Sequence, residues 1–129
     1  MRKLKKKKGF TLIELIVVIV IIGILLLVLI PNVMSAKNKA EDVAYDLTIK
    51  KLHDAAVFFT IDYPSTAVTW SSHDGGTKAR HDIEITAGNL HEAWYKYLDE
   101  WPKNPKKPKT TFIVEISEDG EIRIFDKGY

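Results

Sequence analysis

An apolar run of twenty-one residues, Phe10 to Ile30, constrains this chain more than any other feature. As an α-helix it would be about 31 Å long, which matches the roughly 30 Å hydrocarbon core of a bilayer. In hydrocarbon a helix also satisfies the hydrogen bonds of the backbone N–H and C=O groups within the segment itself. The sequence therefore predicts a membrane-spanning helix over residues 10–31, with one small domain in the rest of the 129 residues.

The charges are distributed unevenly around this run. Six of the nineteen basic residues precede Gly9, so thirteen basic and seventeen acidic residues remain after it, a net charge of −4. The positive-inside rule places residues 1–8 in the cytoplasm and everything after Pro31 outside. A net negative remainder argues against a nucleic-acid-binding domain. The absence of cysteine excludes disulfides and thiolate chemistry but does not fix the compartment.

Two ordinary explanations of the apolar run leave Glu14 unexplained. A secretory signal peptide has an apolar region of about 7 to 15 residues and a small-residue cleavage site, whereas this run is longer and no such site follows it. A plain single-pass anchor has no use for a carboxylate. A charge at the centre of a membrane helix costs roughly 2.5 to 3.5 kcal/mol, and less near an interface. Glu14 is therefore expected to have a function.

The residues Gly9-Phe10-Thr11-Leu12-Ile13-Glu14 lie between a basic leader and the apolar run. They resemble the processing motif of type IV pilins and type II secretion pseudopilins, and the resemblance extends over residues 1–60. It implies that a membrane-embedded prepilin peptidase cuts between Gly9 and Phe10 and methylates the new amino group of Phe10. A glycine before the cut leaves the protease room to approach the backbone.

The resemblance also gives Glu14 a partner. After cleavage Phe10 carries a terminal ammonium group, and we expect the ammonium of an incoming subunit to pair with Glu14 of a subunit already in a filament. Two opposite charges 4 Å apart attract by about 4 kcal/mol at an effective dielectric constant near 20. Because an unpaired charge in hydrocarbon is costly, the pair would set the axial register of assembly. The alternative is a Phe10–Glu14 pair within one chain.

Two residues are expected to weaken the membrane helix. Pro31 has no N–H to donate to the Leu27 carbonyl, and its ring disfavours an ideal helix there. Gly23 is a second weak point in the interior. The resemblance to the pilin family implies that the stretch between such a glycine and proline can loosen when subunits pack into a filament. The alternative for Pro31 is only a kink at the membrane surface.

Residues 32–62 continue the helix with an amphipathic pattern, and Pro64 ends it. We expect its apolar side to pack against the remaining domain. Two adjoining apolar stripes are present: Val33, Ala36, Ala40, Val43 and Leu47; and Tyr45, Ile49, Leu52, Ala56 and Phe59.

Residues 63–129 are predicted to form a small α+β part. Residues 63–82 read as a loop with a possible strand at 66–70, and residues 83–85 are a second, weak strand candidate. Asn89 is predicted to open a short helix, with Glu92 as its capping-box partner and Pro102 as its end. One face of that helix is apolar and more typical of a core than of a ligand site: Leu90, Ala93, Trp94, Tyr97, Leu98 and Trp101.

Residues 110–126 are predicted to form a β-hairpin. A two-residue Asp119-Gly120 loop would set Ile116 opposite Arg123, whereas a three-residue loop over residues 118–120 sets it opposite Ile122. We favour the second, because it keeps the apolar residues on one face and gives Gly120 the left-handed position. Since a lone hairpin is marginally stable, it should gain a third strand and pack on the long helix. The expected fold is pilin-like α+β.

No catalytic motif emerges, so we predict a protein that is not an enzyme and needs no cofactor. The four histidines lack zinc-like spacing, and no phosphate loop or serine elbow is present. Some major pseudopilins bind calcium near the C-terminus, and Glu118, Asp119 and Asp126 could supply oxygens. The stretch 103–109 before them is cationic, however, and nothing resembles a calcium loop.

The lysines of the loop 103–109 leave three alternatives open. They are Lys103, Lys106, Lys107 and Lys109. They could form a solvated loop, meet an acidic groove on the next subunit, or touch DNA or surface polymers. Phosphate contacts would give a steep salt dependence, and no aromatic residues are interleaved to support them.

The resemblance implies a structural filament subunit held in the cytoplasmic membrane until assembly, with its domain outside and the filament in the periplasm, the cell wall or on the surface. Its implied partners are copies of itself, the prepilin peptidase, an assembly ATPase, a membrane platform protein and minor pilins. Secretion pseudopili, type IV pili and DNA-uptake pseudopili all use such subunits. The alternatives are a minor pilin at a filament tip and a monomeric membrane-anchored binding domain.

Overall fold

The computed structural model describes residues 8–72 and 84–128. The chain divides into two compact units between Lys39 and Ala40. A single helix, α1 (Leu12–Asp62), runs from the first unit into the second. The prediction of one long N-terminal helix is confirmed, and α1 ends just before Pro64 as expected.

The second unit carries a three-stranded antiparallel sheet and a short extra helix. Its strands are β1 (Val68–Ser71), β2 (Thr110–Ile116) and β3 (Ile122–Gly128), in the order β1-β2-β3. A 3-10 helix (Leu90–Lys96) lies between β1 and β2 in the chain. The α+β, pilin-like fold class is therefore confirmed.

The hairpin register also agrees with the prediction. Ile116 is paired with Ile122, and Val114 with Ile124. The backbone N–H of Ser117 donates to the carbonyl of Glu121 at 3.0 Å, which leaves a three-residue loop between them. Gly120 has φ of +84°, the left-handed conformation that glycine adopts without cost. The predicted third strand is present as β1, shifted slightly to residues 68–71.

The core of the second unit forms where one face of α1 meets the sheet and the 3-10 helix. Phe59 of α1 is fully buried, and its ring centroid lies 5.0 Å from that of Tyr63 and 5.1 Å from that of Trp70. Tyr45 packs on Phe112 of β2, with centroids 5.6 Å apart. The other buried apolar residues are Leu52, Ala55, Ala56, Ala93, Trp94, Tyr95, Leu98, Trp101, Val114 and Ile116.

Only one of the two predicted stripes on α1 is buried. The stripe from Tyr45 to Phe59 faces the core, whereas the stripe from Val33 to Leu47 is exposed. The expectation that the apolar side of this helix packs on the domain is therefore correct for half of its apolar residues. The three strands in the described part of the chain cover one side of α1.

The prediction of a short helix after Asn89 is confirmed, whereas its predicted end and its predicted capping box are wrong. The helix after Asn89 is a 3-10 helix that ends at Lys96, and Asn89 makes no side-chain cap. Instead, its Oδ1 accepts from the backbone N–H of Thr86 at 2.6 Å, so it closes the preceding turn and no capping box with Glu92 forms. Residues 84 and 85 are not in a strand, and residue 83 lies outside the described part of the chain.

A polar contact joins the end of α1 to the residues around the 3-10 helix. The Tyr97 hydroxyl donates to Oδ2 of Asp62 at 2.6 Å, and the Lys96 ammonium donates to the same oxygen at 3.0 Å. These bonds hold the pKa of Asp62 below its ordinary value, with the tyrosine hydroxyl as the larger cause. Burial and the neighbouring carboxylate raise the pKa of Tyr97.

Candidate functional site

The start of α1 brings together the residues of the predicted processing motif. Phe10 lies before the helix and is 92% exposed. The backbone N–H of Thr11 donates to Oε2 of Glu14 at 2.8 Å, and the backbone N–H of Glu14 donates to Oγ1 of Thr11 at 3.3 Å. This reciprocal pair is a capping box, which satisfies two helix donors that would otherwise lack partners.

The capping box is a part of the site that sequence reasoning missed. The signal was present, because threonine followed three residues later by glutamate and then an apolar run is the pattern of such a helix start. The structure thus shows that Glu14 has a local role in the isolated chain before any partner arrives. Phe10, Ile13, Glu14 and Val17 also line one open, mainly apolar surface of α1.

Neither predicted site glycine is required by its surroundings within the chain. A Cβ atom added to Gly9 or to Gly23 would meet nothing within 4 Å. No neighbouring atom of the isolated chain therefore excludes a side chain at these positions. For Gly9, a protease that approaches the backbone would be a partner that favours glycine.

Pro31 lies inside α1, which continues on both sides of it. The side-chain amide of the next residue, Asn32, donates to the carbonyl of Val28 at 3.2 Å. That bond adds a polar contact in the turn where proline removes a backbone donor. Gly23 and Pro31 are both helical in the isolated chain, so loosening between them stays a prediction for the assembled state.

The apolar half of α1 is exposed on all sides in the isolated chain. Its large apolar residues from Leu12 to Ile30 are between 46% and 76% exposed. By length and composition, α1 is able to cross a membrane. So much contiguous exposed apolar surface is typical of a helix that lies in lipid or packs against other proteins.

The second half of α1 carries an exposed apolar stripe of its own. Val43, Leu47, Phe58 and Ile61 are 58%, 61%, 60% and 67% exposed. At 100° per residue they fall on the face opposite the one that packs on the sheet. Exposed apolar residues therefore recur on this face up to the end of the helix, with the charged residues Lys50, Lys51 and Asp54 between Leu47 and Phe58.

The comparisons with known proteins agree with this geometry. Residues 4–30 match the family described as the prokaryotic N-terminal methylation motif. The type II secretion system core protein G of Escherichia coli (strain K12) is 42% identical over an aligned length of 129, and the alignment covers 95% of this chain and 89% of the relative. The chain belongs to the type IV pilin and type II secretion pseudopilin family. It is a structural filament subunit of that family.

Other pilin-family relatives match over shorter lengths. Core protein G of Vibrio cholerae is 39% identical over 69 residues, 51% of this chain and 47% of that protein. The type IV wide pilus major component PilA4 of Thermus thermophilus is 47% identical over 55 residues, 43% of this chain and 40% of that protein. No solved structure matched the chain.

The acidic residues considered for calcium in this pilin-family chain are not gathered into one site. Asp126 accepts from the Lys107 ammonium at 2.7 Å, and Asp119 accepts from the Ser117 hydroxyl. Among residues 8–72 and 84–128, no group of three histidine or acidic side chains is placed to hold a metal ion. Of the four histidines, His53 is exposed and His91 lies beside Glu92, while the other two lie outside the described residues.

The lysine loop, residues 103–109, is built onto the pilin-family domain rather than left loose. The buried side chain of Asn104 accepts from the backbone N–H groups of Lys106 and Lys107 at 3.0 and 3.1 Å, and it donates to the Thr110 hydroxyl at 2.9 Å. The ammonium of Lys106 lies 2.6 Å from a carboxylate oxygen of Asp42. The alternative of a purely solvated loop therefore does not describe this stretch, because Asn104 and Lys106 attach it to the domain.

Proposed function

We propose that this chain is a major subunit of a secretion pseudopilus, cut between Gly9 and Phe10 and polymerised through Glu14. The observation that carries the proposal is the similarity to a type II secretion core protein over 95% of the chain. The exposed apolar α1 supports it, because lipid would cover that surface before assembly and neighbouring subunits would cover it afterwards.

The proposed chain has four parts with separate tasks. Residues 1–9 are the cytoplasmic leader that is removed, and residues 10–31 cross the cytoplasmic membrane and later form the filament core. Residues 32–62 connect this segment to the domain. Residues 63–129 complete the domain outside the membrane. The lysine-rich start of the chain supports this orientation.

The proposed work of the protein is polymerisation and not catalysis. Prepilin peptidase prepares the subunit, while an assembly ATPase acts through a membrane platform protein, and minor pilins begin the filament. These partners follow from the family and not from a surface of this chain. Gly23 and Pro31 would let the helix loosen as subunits pack.

A type IV pilus is the second candidate. The Thermus pilus component supports it with the higher identity of 47%, but over only 43% of this chain. Disrupting the gene separates the two, because a pseudopilus subunit is required for protein secretion and a pilus subunit for surface fibres. DNA uptake remains an expectation of the resemblance alone.

The first test is the intact mass of the protein purified from its own cells. We expect a chain that begins at Phe10 and carries one additional methyl group. A chain that retains its lysine-rich leader would contradict the proposal and would favour a monomeric membrane-anchored binding domain.

The second test changes Glu14. Glu14→Leu should leave cleavage intact and abolish filaments, because it removes the partner of the Phe10 ammonium. Glu14→Gln is the matched variant, since it keeps an oxygen that can accept from Thr11 but carries no charge. Loss of filaments in both variants supports a charge pair, whereas normal filaments from Glu14→Leu would remove the role proposed for this residue.

A further inference from the structure

Opposite charges lie at the two ends of the β2–β3 hairpin. β2 leads from the lysine loop at one end to the turn 117–121 at the other. At about 3.3 Å per residue, its seven residues separate the two ends by about 20 Å.

The length of α1 gives an independent measure of the same separation. Lys106 binds Asp42 near one end of the domain. At the other end, Thr60 lines the same open cleft as Glu118 and Asp119. Asp42 and Thr60 are eighteen residues apart on one helix, which corresponds to about 27 Å. The lysine loop and the acidic turn therefore mark opposite ends of the domain.

The lysine end presents charges from a fixed backbone. Lys106 and Lys107 are already paired with Asp42 and Asp126, and Asn104 holds the loop from inside. Three further lysines lie at this end and form no ion pair with any residue in the described ranges 8–72 and 84–128: Lys103, Lys109 and Lys127. This end therefore has three positive charges available for another molecule.

The opposite end carries a matching number of negative charges. Glu118, Asp119 and Glu121 lie in or beside the hairpin turn and form no ion pair with a residue that the structure describes. Glu118 and Asp119 border an open cleft of about 360 Å³ that Tyr63 and Thr60 also line. The cleft is open to solvent, and a lysine side chain is small enough to enter it.

We propose that the lysine end of one subunit, defined by Lys103, Lys109 and Lys127, docks on the acidic turn of a second copy of this chain. The second copy would be displaced along the filament by about the length of the domain. Such a head-to-tail contact joins two different surfaces of the same molecule, and therefore repeats into a filament without closing. The inference rests on the proposed filament function.

Charge complementarity favours a second copy over other anionic partners. Three lysines at one end and three carboxylates at the other have opposite charges, and the β2–β3 hairpin joins the two ends. Rim charges of this kind mainly set register and exclude wrong arrangements. The contact would therefore complement the Glu14 pair by fixing the register of the outer domains.

The absence of cysteine permits a direct test by cross-linking. Two differently tagged full-length chains, one with Lys103→Cys and one with Glu118→Cys, are expressed together, and their sheared filaments are oxidised. We expect a disulfide-linked dimer that carries both tags. The matched control pairs Lys103→Cys with Lys51→Cys, an exposed position midway along the domain, and should give little mixed dimer. Equal cross-linking in the two pairs would overturn the proposal.

Charge reversal tests the energetics of the same contact. Lys103→Glu with Lys109→Glu should lower filament yield by about fivefold or more, and Glu118→Lys with Glu121→Lys should do the same. All four changes in one chain should restore most of the yield, since both ends are reversed together. Normal yield from either reversed end, or no recovery in the combined chain, would contradict a contact between copies.

The outcomes also separate this inference from the proposed function. Filaments that form normally with either end reversed would overturn the docking contact alone. A wild-type chain that forms no filament would overturn both. Binding of the wild-type chain, but not of the lysine-reversed chain, to phosphatidylglycerol vesicles, together with no mixed dimer, would assign the lysines to an anionic lipid surface and overturn the second copy as their partner.

Discussion

Two neighbouring phenylalanines at the end of α1 provide a sharp test of how the domain is held together. Phe59 is fully buried against the rings of Tyr63, Trp70 and Tyr97, at centroid distances of 5.0, 5.1 and 6.4 Å. Phe59→Ala leaves a cavity among these rings and should lower the free energy of unfolding by about 3 to 5 kcal/mol. That is a large part of the roughly 5 to 15 kcal/mol that stabilises a typical domain.

Phe58→Ala is the matched control. Phe58 is 60% exposed on the opposite face of the helix, so the same substitution there should change the free energy of unfolding by no more than about 0.5 kcal/mol. Helix propensity changes by a similar small amount in both variants and cancels in the comparison.

The assay is urea unfolding of the full-length chain in detergent, followed by tryptophan fluorescence. All three tryptophans lie in the core of the second unit and report its unfolding. A loss of about 4 kcal/mol at a slope of about 2 kcal/mol per molar lowers the urea midpoint by about 2 M. Equal midpoints for the two variants, or a loss below about 1 kcal/mol for Phe59→Ala, would refute the assignment of the core face.

Two further predictions concern the hairpin turn and acid stability. Gly120→Ala should destabilise the domain by about 1 kcal/mol in the same assay, because φ of +84° disfavours a side chain. Gly88→Ala is the control and should have little effect on the free energy of unfolding. Similar losses in the two variants would show that the turn conformation is unimportant. The Tyr97 hydroxyl and the Lys96 ammonium hold the pKa of Asp62 below 3.8, so its stabilising effect is complete above that pH and is lost as the pH falls below it. Asp62→Asn should therefore flatten the loss of stability as the pH falls below about 4. An unchanged acid profile would contradict this coupling.

The elements that follow from local chemistry were predictable from the sequence. The hairpin register is set by apolar residues at every second position, Phe112, Val114 and Ile116, and by a glycine at position 120. The bilayer-length apolar run similarly predicts the first half of α1, and Pro64 predicts its end. Gly120 satisfies the left-handed turn conformation and Pro64 cannot continue a helix, and few other residue types have these properties.

The elements that depend on tertiary choice were not predictable in the same way. The side chain of Asn89 accepts a hydrogen bond from the backbone N–H of Thr86 in the preceding turn, and the expected cap therefore did not form. Helical periodicity identified two apolar stripes on α1 but could not show which of them is buried, because both have the same spacing. Which stripe is buried depends on where Trp70 and Phe112 place the sheet against α1, and these residues are distant from the stripes in the sequence.

The local role of Glu14 is compatible with its proposed role between subunits. Its Oε2 accepts from the backbone N–H of Thr11, a donor that survives cleavage between Gly9 and Phe10. A carboxylate has two oxygens and several lone pairs, so Oε1 can still accept from an ammonium group. The capping box would hold the carboxylate at the start of the helix before the partner arrives and reduce the side-chain entropy lost on pairing. Thr11 and Glu14 would thus prepare a fixed negative charge for the Phe10 ammonium of the next subunit.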